Sequence, residues 1–258
     1  MNQRTIISDI DGTLLKTSIG LTKAIKNSAK EYIKRGNLLG LCTGRSLQAT
    51  TNIAQELQVN LPCIIFGGAL IYDFRKEKIL FERTMDPSIG KIISDILIFN
   101  DQLSVTVSTY EKTWTIRSNE TLLTKGIEFD RNSPIENCIP QKPVLKVLLT
   151  CANRDVLFAV KKIIPQDLFY ATFASKHFLE IVSNKVNKGI AISILRKLIH
   201  FEKQDIWVAG DGLSDLQMKP YSQRFIAPED ALLEVTREAD ELIPSAKLNG
   251  MKCIFDAF

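Results

Sequence analysis

Thr5-Ile6-Ile7-Ser8-Asp9-Ile10-Asp11-Gly12-Thr13 is the stretch on which the fold turns. Its apolar start has the character of a buried strand, and its end carries two carboxylates with a glycine turn directly after them. Acidic side chains sit poorly in strands and are costly to bury unpaired, so a pair at a strand's edge points to a cation or a reaction. An acidic turn that merely closes the strand is the plain alternative, because Asp and Gly both favour turns.

Outward from this stretch the first third of the chain alternates strand and helix. Leu21, Ile25, Ala29, Tyr32 and Ile33 recur at helical spacing, with Gly36 where a helix end favours a left-handed residue. Leu38 to Cys42 reads as a second strand, Ser46 to Leu57 as a second helix and Cys63 to Phe66 as a third strand. Strands this apolar, separated by helices, imply a parallel sheet covered on both faces. Ala69 to Tyr72 and Ile79 to Phe81 read as a hairpin behind the tight turn Gly67-Gly68.

The pattern then changes. A helix from Pro87 to about Asn100 precedes alternating strands at Leu103 to Tyr110, Trp114 to Arg117, Leu145 to Cys151, Leu168 to Phe173 and Phe178 to Val182. A helix is expected over Arg154 to Ile164, and an irregular polar stretch around Arg131 to Lys142. The doubly wound pattern returns with a helix from Gly189 to His200, a strand from Ile206 to Ala209, short strands at Phe225 to Ala227 and Leu242 to Ile243, and a helix near Leu232 to Arg237. The fold expected is α/β: a doubly wound, Rossmann-like parallel-sheet core over residues 1–82 and 185–258, with an α+β cap inserted over 83–184.

Composition narrows the function classes. With 258 residues, 45% hydrophobic and 24% charged, the chain has ample core for one large domain or two modest ones. A net charge of +4 without a basic block gives no reason to expect nucleic acid as a partner. Cys42, Cys63, Cys138, Cys151 and Cys253 are odd in number, widely spaced and without a Cys-x-x-Cys pair, so neither a disulfide framework nor a zinc site is expected. No apolar run reaches the roughly 18 residues of a membrane span. With a strand beginning so close to Met1, no signal peptide is expected either, and the expected location is cytoplasmic.

In an open parallel sheet, ligands bind beyond the carboxyl ends of the strands, where the strand order reverses. Four polar clusters fall there or at the mouth of a following helix: Asp9 with Asp11, Thr43-Gly44-Arg45, Lys188, and Asp211 with Asp215. One acidic turn is unremarkable, but four such clusters are hard to explain as turns. Asp9-x-Asp11-Gly12-Thr13, Thr43-Gly44-Arg45, Asn187-Lys188-Gly189 and Gly210-Asp211-Gly212-x-x-Asp215 resemble the four motifs of the haloacid dehalogenase superfamily. Their order and spacing are similar to its magnesium-dependent Cof-like phosphatases (type IIB), which carry a large α/β cap between the second and third motifs. Leu179-Glu180-Ile181 before Lys188 matches that branch as well.

The resemblance implies a phosphatase of small phosphomonoesters, sugar phosphates foremost, using Mg²⁺. A phosphate monoester is dianionic and repels a nucleophile, and a hard cation that favours carboxylate and water oxygens removes that repulsion. Asp9 and Asp211 are the natural ligands. The resemblance adds the backbone carbonyl of Asp11, with Asp215 holding a metal-bound water or bracing Lys188. Asp9 is expected to attack phosphorus and Asp11 to protonate the leaving oxygen. Thr43, Lys188 and the amides around Gly12 and Gly44 are expected on the phosphate oxygens. Arg45 is a candidate phosphate or substrate contact, equally readable as a surface arginine. The inserted cap is expected to select the leaving group.

Three positions depart from the pattern, which usually has Asn where this chain has Ser214, Gly67 and Asp230. Ser214 is a candidate substrate contact but, shorter than Asn, is expected to lose a phosphate or loop hydrogen bond, and none of the three removes a nucleophile, acid, lysine or metal ligand. Two rival readings stand beside the phosphatase: a phosphotransferase or mutase of the same superfamily, and a non-catalytic phospholigand-binding protein. Oligomeric state is not legible.

Overall fold

The computed structural model describes residues 3–99, 102–117, 128–129 and 142–258. The chain divides into two compact units, Met1–Glu82 with Val186–Phe258, and Arg83–Lys185. The first unit opens with β1 (Thr5–Ser8), a helix Lys23–Lys34, β2 (Leu38–Leu41), a helix Leu47–Leu57 and β3 (Cys63–Ile65). Thr22 and Ser46 start the two helices, each hydroxyl accepting the amide three residues on, from Ile25 and Ala49. β4 (Leu70–Asp73) and β5 (Lys78–Glu82) follow as a hairpin.

In the second unit, β6 (Ser104–Ser108), β7 (Thr113–Arg117), β8 (Glu128–Phe129), β9 (Lys146–Thr150), β10 (Phe169–Ser175) and β11 (Phe178–Ser183) form one sheet in the order β10-β11-β9-β6-β7-β8. Val105, Val107, Val147, Leu149, Leu179 and Ile181 share one face through the two-residue period. They bury themselves with Ile93 and Leu97 of helix Ile89–Phe99 and Leu157 of helix Arg154–Ile163. The opposite face carries Thr106, Thr115, Lys146 and Glu180, the last two as an ion pair. The irregular stretch expected around Arg131 lies, up to residue 141, outside the described residues.

Val186 begins the return to the first unit: helix Lys188–Ile199, β12 (Ile206–Ala209), a short helix Leu213–Leu216, β13 (Arg224–Pro228), helix Leu233–Glu238, β14 (Glu241–Ile243) and helix Met251–Ala257. Five strands pair in parallel as β14-β13-β12-β1-β2. The chain steps from β1 to β2 on one side and from β12 outward on the other, so the strand order reverses beside β1. Ile6, Ile7, Leu39, Leu41, Val208 and Phe225 are fully buried, as strands covered on both faces require.

Two features differ from the sequence reading. β3 is not a full member of the parallel sheet; it touches it through one bridge, Cys42 to Ile64, and instead opens a separate antiparallel sheet β3-β4-β5. Directly after Ile65, the positive φ of Phe66, Gly67 and Gly68 turns the chain back along β3 before the layer can extend. The helix Met251–Ala257 was not expected. It buries Met251, Ile254 and Phe255, but seven residues are too few for periodicity to separate helix from strand. Among the described residues, no helix is long and apolar enough to cross a membrane.

Candidate active site

Asp9 is the first residue beyond β1, and its amide still donates to Ala209 of β12 at 2.8 Å. The sheet therefore fixes where its carboxylate stands. Beyond β12 comes Gly210-Asp211-Gly212, and beyond β2 comes Thr43. Lys188 opens its helix behind Asn187, whose side chain accepts the Ile190 amide at 2.8 Å. Three strand ends and one helix start thus deliver the polar groups to the carboxyl edge of the sheet.

Close approach depends on glycine at two of these turns. Gly12 has φ +85°, and a Cβ there would stand 2.1 Å from Asp211 Oδ2. At Gly210 a Cβ would stand 2.2 Å from the Cβ of Asp215. Any side chain at either position would push an acid out of the cluster.

The geometry is that of a charge cluster under desolvation. Lys188 Nζ donates to Asp9 Oδ1 at 2.7 Å and to Asp215 Oδ1 at 2.5 Å, and all three residues are buried. The other oxygen of Asp215 accepts the amides of Asp211 and Gly212 at 3.1 and 2.9 Å. Asp211 Oδ1 accepts from Thr13 Oγ1 at 3.2 Å. Burial raises Asp9 well above the usual carboxylate range, Lys188 only partly offsetting it while Asp215 and Asp211 add repulsion. Asp211 is pushed up to about 6, by burial first and by Asp215 second. Burial works against the charge on Lys188, but Asp215 and Asp9 outweigh it and raise its pKa well above the ordinary lysine value.

Asp9, Asp211 and Asp215 each offer a carboxylate oxygen, and these lie within 4.8 Å of one another. Among the described residues the ammonium paired with this cluster is that of Lys188, which contacts two of the three acids, Asp9 and Asp215. Two carboxylates held above their ordinary range by burial and by acidic neighbours, in an all-oxygen donor set, fit a hard divalent cation. Both oxygens of Asp215 are engaged, one by Lys188 and the other by the amides of Asp211 and Gly212. These bonds tie Asp215 to Lys188 and to the Asp211 loop.

The other residues expected from the sequence fall as follows. Thr43 is buried, and its hydroxyl accepts the Arg45 amide at 3.1 Å, leaving its own proton to donate. Gly44 lies in the same loop. The Arg45 guanidinium lies on Asp11. Burial alone would raise Asp11, but the hydrogen bonds and charge of Arg45, with Thr17, bring it below the ordinary carboxylate value. Gly12, Asp211 and Asp230 line a cavity of about 360 Å³ together with Lys16, Thr17, Ser18 and Ala246. Ser214 is half-buried in the short helix Leu213–Leu216 that follows Gly212. At Gly67 a side chain would meet nothing within 4 Å. Two participants went unassigned in the sequence reading: Thr13, which sits inside the first motif, and Thr17, an exposed loop residue that carried no signal.

The profile of the haloacid dehalogenase-like hydrolases matches residues 6–253. The chain belongs to the haloacid dehalogenase-like hydrolase family. Among proteins similar to this hydrolase is the 5-amino-6-(5-phospho-D-ribitylamino)uracil phosphatase of Bacillus subtilis, 24% identical, with 98% of this chain and 97% of that protein covered. A haloacid dehalogenase-like hydrolase from Bacteroides thetaiotaomicron superposes with a TM-score of 0.89 at 19% identity, covering 99% of both chains. A structure described as a subclass IIB sugar phosphatase gives 0.83 at 15% identity, again covering 99% of both. At these identities the two structures establish a shared fold.

Proposed function

We propose that this haloacid dehalogenase-like hydrolase is a magnesium-dependent phosphatase of small phosphomonoesters, sugar phosphates foremost, that works through an aspartyl-phosphate. The observation that carries the reading is the buried Lys188 bridging Asp9 and Asp215 beside Asp211, in a cluster short of positive charge. Asp9, Asp211 and the backbone carbonyl of Asp11 would hold the ion, with Asp215 behind them. Bound there, Mg²⁺ supplies positive charge against the phosphate dianion, as a Lewis acid does in phosphoryl transfer.

Asp9 attacks phosphorus, the bond to the leaving oxygen breaks, and the acyl phosphate that results is hydrolysed by water. Lys188 holds Asp9 in line and neutralises oxygen charge, with the Thr43 hydroxyl donating to a second oxygen. Asp11 gives a proton to the leaving oxygen and later takes one from the attacking water, a contribution of roughly 10²–10⁴-fold. Asp11 is ionised in the resting protein. A phosphate dianion placed beside it pushes its pKa back up, so protonation follows substrate binding.

The names of the relatives support a polyhydroxylated leaving group, one acting on a sugar phosphate and another on a ribityl phosphate. The test is release of inorganic phosphate from para-nitrophenyl phosphate and from a panel of sugar phosphates, with and without Mg²⁺. Turnover that needs the ion and disappears in Asp9→Asn supports the reading. A well-folded wild type without turnover, or transfer to a second sugar in place of phosphate release, overturns it.

A further inference from the structure

Asp11 is gripped in a way that Asp9 is not. Arg45 Nε donates to Asp11 Oδ2 and Nη2 donates to Oδ1, both at 2.7 Å. This is the two-point fork that a planar guanidinium makes with a carboxylate, and it fixes the plane of the carboxyl group as well as its position. Thr17 Oγ1 adds a third hydrogen bond to Oδ1 at 2.9 Å. The remaining guanidinium nitrogen, Nη1, reaches the carbonyl of Ala49 at 3.5 Å. The arginine is itself anchored, its amide on Thr43 Oγ1 at 3.1 Å and its carbonyl accepting from Phe66 at 2.9 Å.

We infer that Arg45, with Thr17, is a positioning residue that aims the Asp11 carboxyl group at the leaving oxygen, and that it does not serve as a contact to the substrate. The inference rests on the phosphatase reading, because only there does Asp11 carry a proton to the leaving group. Each of the three guanidinium nitrogens already donates to a protein oxygen, two of them to one carboxylate. The loop from Thr43 to Ala49 thus ties the phosphate-binding hydroxyl of Thr43 to the proton-transfer group through one residue.

The consequence separates leaving groups. The oxygen of para-nitrophenyl phosphate departs with little help from a proton, while that of phenyl phosphate, nearly the same in size, is more basic and needs one. A residue that acts through Asp11 must therefore matter far more for phenyl phosphate. An arginine on the phosphate would affect both esters equally, and one on the organic portion would act through KM.

The test compares wild type, Arg45→Lys, Arg45→Met and Thr17→Val on both esters, with Mg²⁺ affinity measured by calorimetry. For Arg45→Met the expected loss in kcat is several-fold on para-nitrophenyl phosphate and on the order of a hundredfold on phenyl phosphate. KM and Mg²⁺ affinity should change little. Arg45→Lys, which keeps the charge but not the fork, should recover only part of the loss. Thr17→Val should give the same split at smaller size, and it serves if the arginine variants do not fold. Equal losses on both esters, or a rise in KM without a fall in kcat, overturn the inference and leave the phosphatase reading intact. Wild type that turns over neither ester sinks both.

Discussion

Asp9 and Asp11 are the same residue type, two positions apart at one strand end, yet their surroundings push them in opposite directions. The Asp9 region is buried, crowded with Asp211 and Asp215, and served by one ammonium, and Asp9 and Asp211 are held above their ordinary range by burial first and by their acidic neighbours second. The Asp11 region is more open, and a bidentate arginine and a threonine hold its carboxylate below that range. The difference teaches that role follows environment. The Asp9 side carries more acid than its one ammonium neutralises, and the Asp11 side holds an anion whose charge is already paired.

The comparison breaks first if the two acids prove interchangeable. Asp9→Asn should abolish turnover on any ester, a loss of at least about 10³-fold, with an unchanged melting temperature within a few degrees. Asp11→Asn should retain appreciable turnover of para-nitrophenyl phosphate. Steady-state kinetics on the two variants decides this, and equal losses on that ester would erase the distinction.

Lys188→Met probes the Asp9 side through stability. It leaves Asp9 and Asp215 buried without the cation that bridges them, which should cost about 3–5 kcal/mol in urea unfolding without metal. Mg²⁺ should restore part of the loss. An unchanged unfolding midpoint would show that the cluster is hydrated and weakly coupled.

The third prediction concerns pH. Asp211 has a folded-state pKa of about 6, above its unfolded value near 3.8, so the folded protein binds more protons between those values. Stability contributed by this group is present below about pH 4 and is lost as pH rises through 6. In metal-free protein, Asp211→Asn should therefore remove a fall in stability across that window. Mg²⁺ should raise the melting temperature more at pH 7 than at pH 5, since protons compete for the same oxygen. A Mg²⁺ effect that is flat or reversed with pH would contradict the charge-deficient description.

The smallest effect is expected at Gly67, away from both acids. Its φ is +65°, a region Asn tolerates best after Gly, and the space around a Cβ there is open. Gly67→Asn should change unfolding free energy by less than about 1 kcal/mol. A larger penalty would mean that the turn after β3 is tighter than its open surroundings indicate.

Much of this was readable from residue order. Acids, a threonine and a lysine placed just beyond apolar runs announce strand ends and a helix mouth, because one charged turn can simply close a strand but four such clusters are hard to explain that way. The parallel layering followed from strands apolar on both faces. Arg45 could not be placed, because the partner of a long side chain is set by three-dimensional aim and not by spacing. β3's diversion into an antiparallel sheet depends on Phe66, a bulky residue at φ +53°, which propensity alone would not put there. Thr17 had no signal at all, since an exposed threonine in a loop is ordinary until a carboxylate is found beside it.

The most direct measurement is chemical trapping of the nucleophile. Wild type turning over para-nitrophenyl phosphate with Mg²⁺ would be quenched with borohydride, which reduces an acyl phosphate of aspartate to homoserine, and the peptides sequenced. Homoserine at position 9, absent without Mg²⁺, is the predicted result. Turnover without homoserine at any position, or homoserine at position 11 in place of 9, would contradict the account.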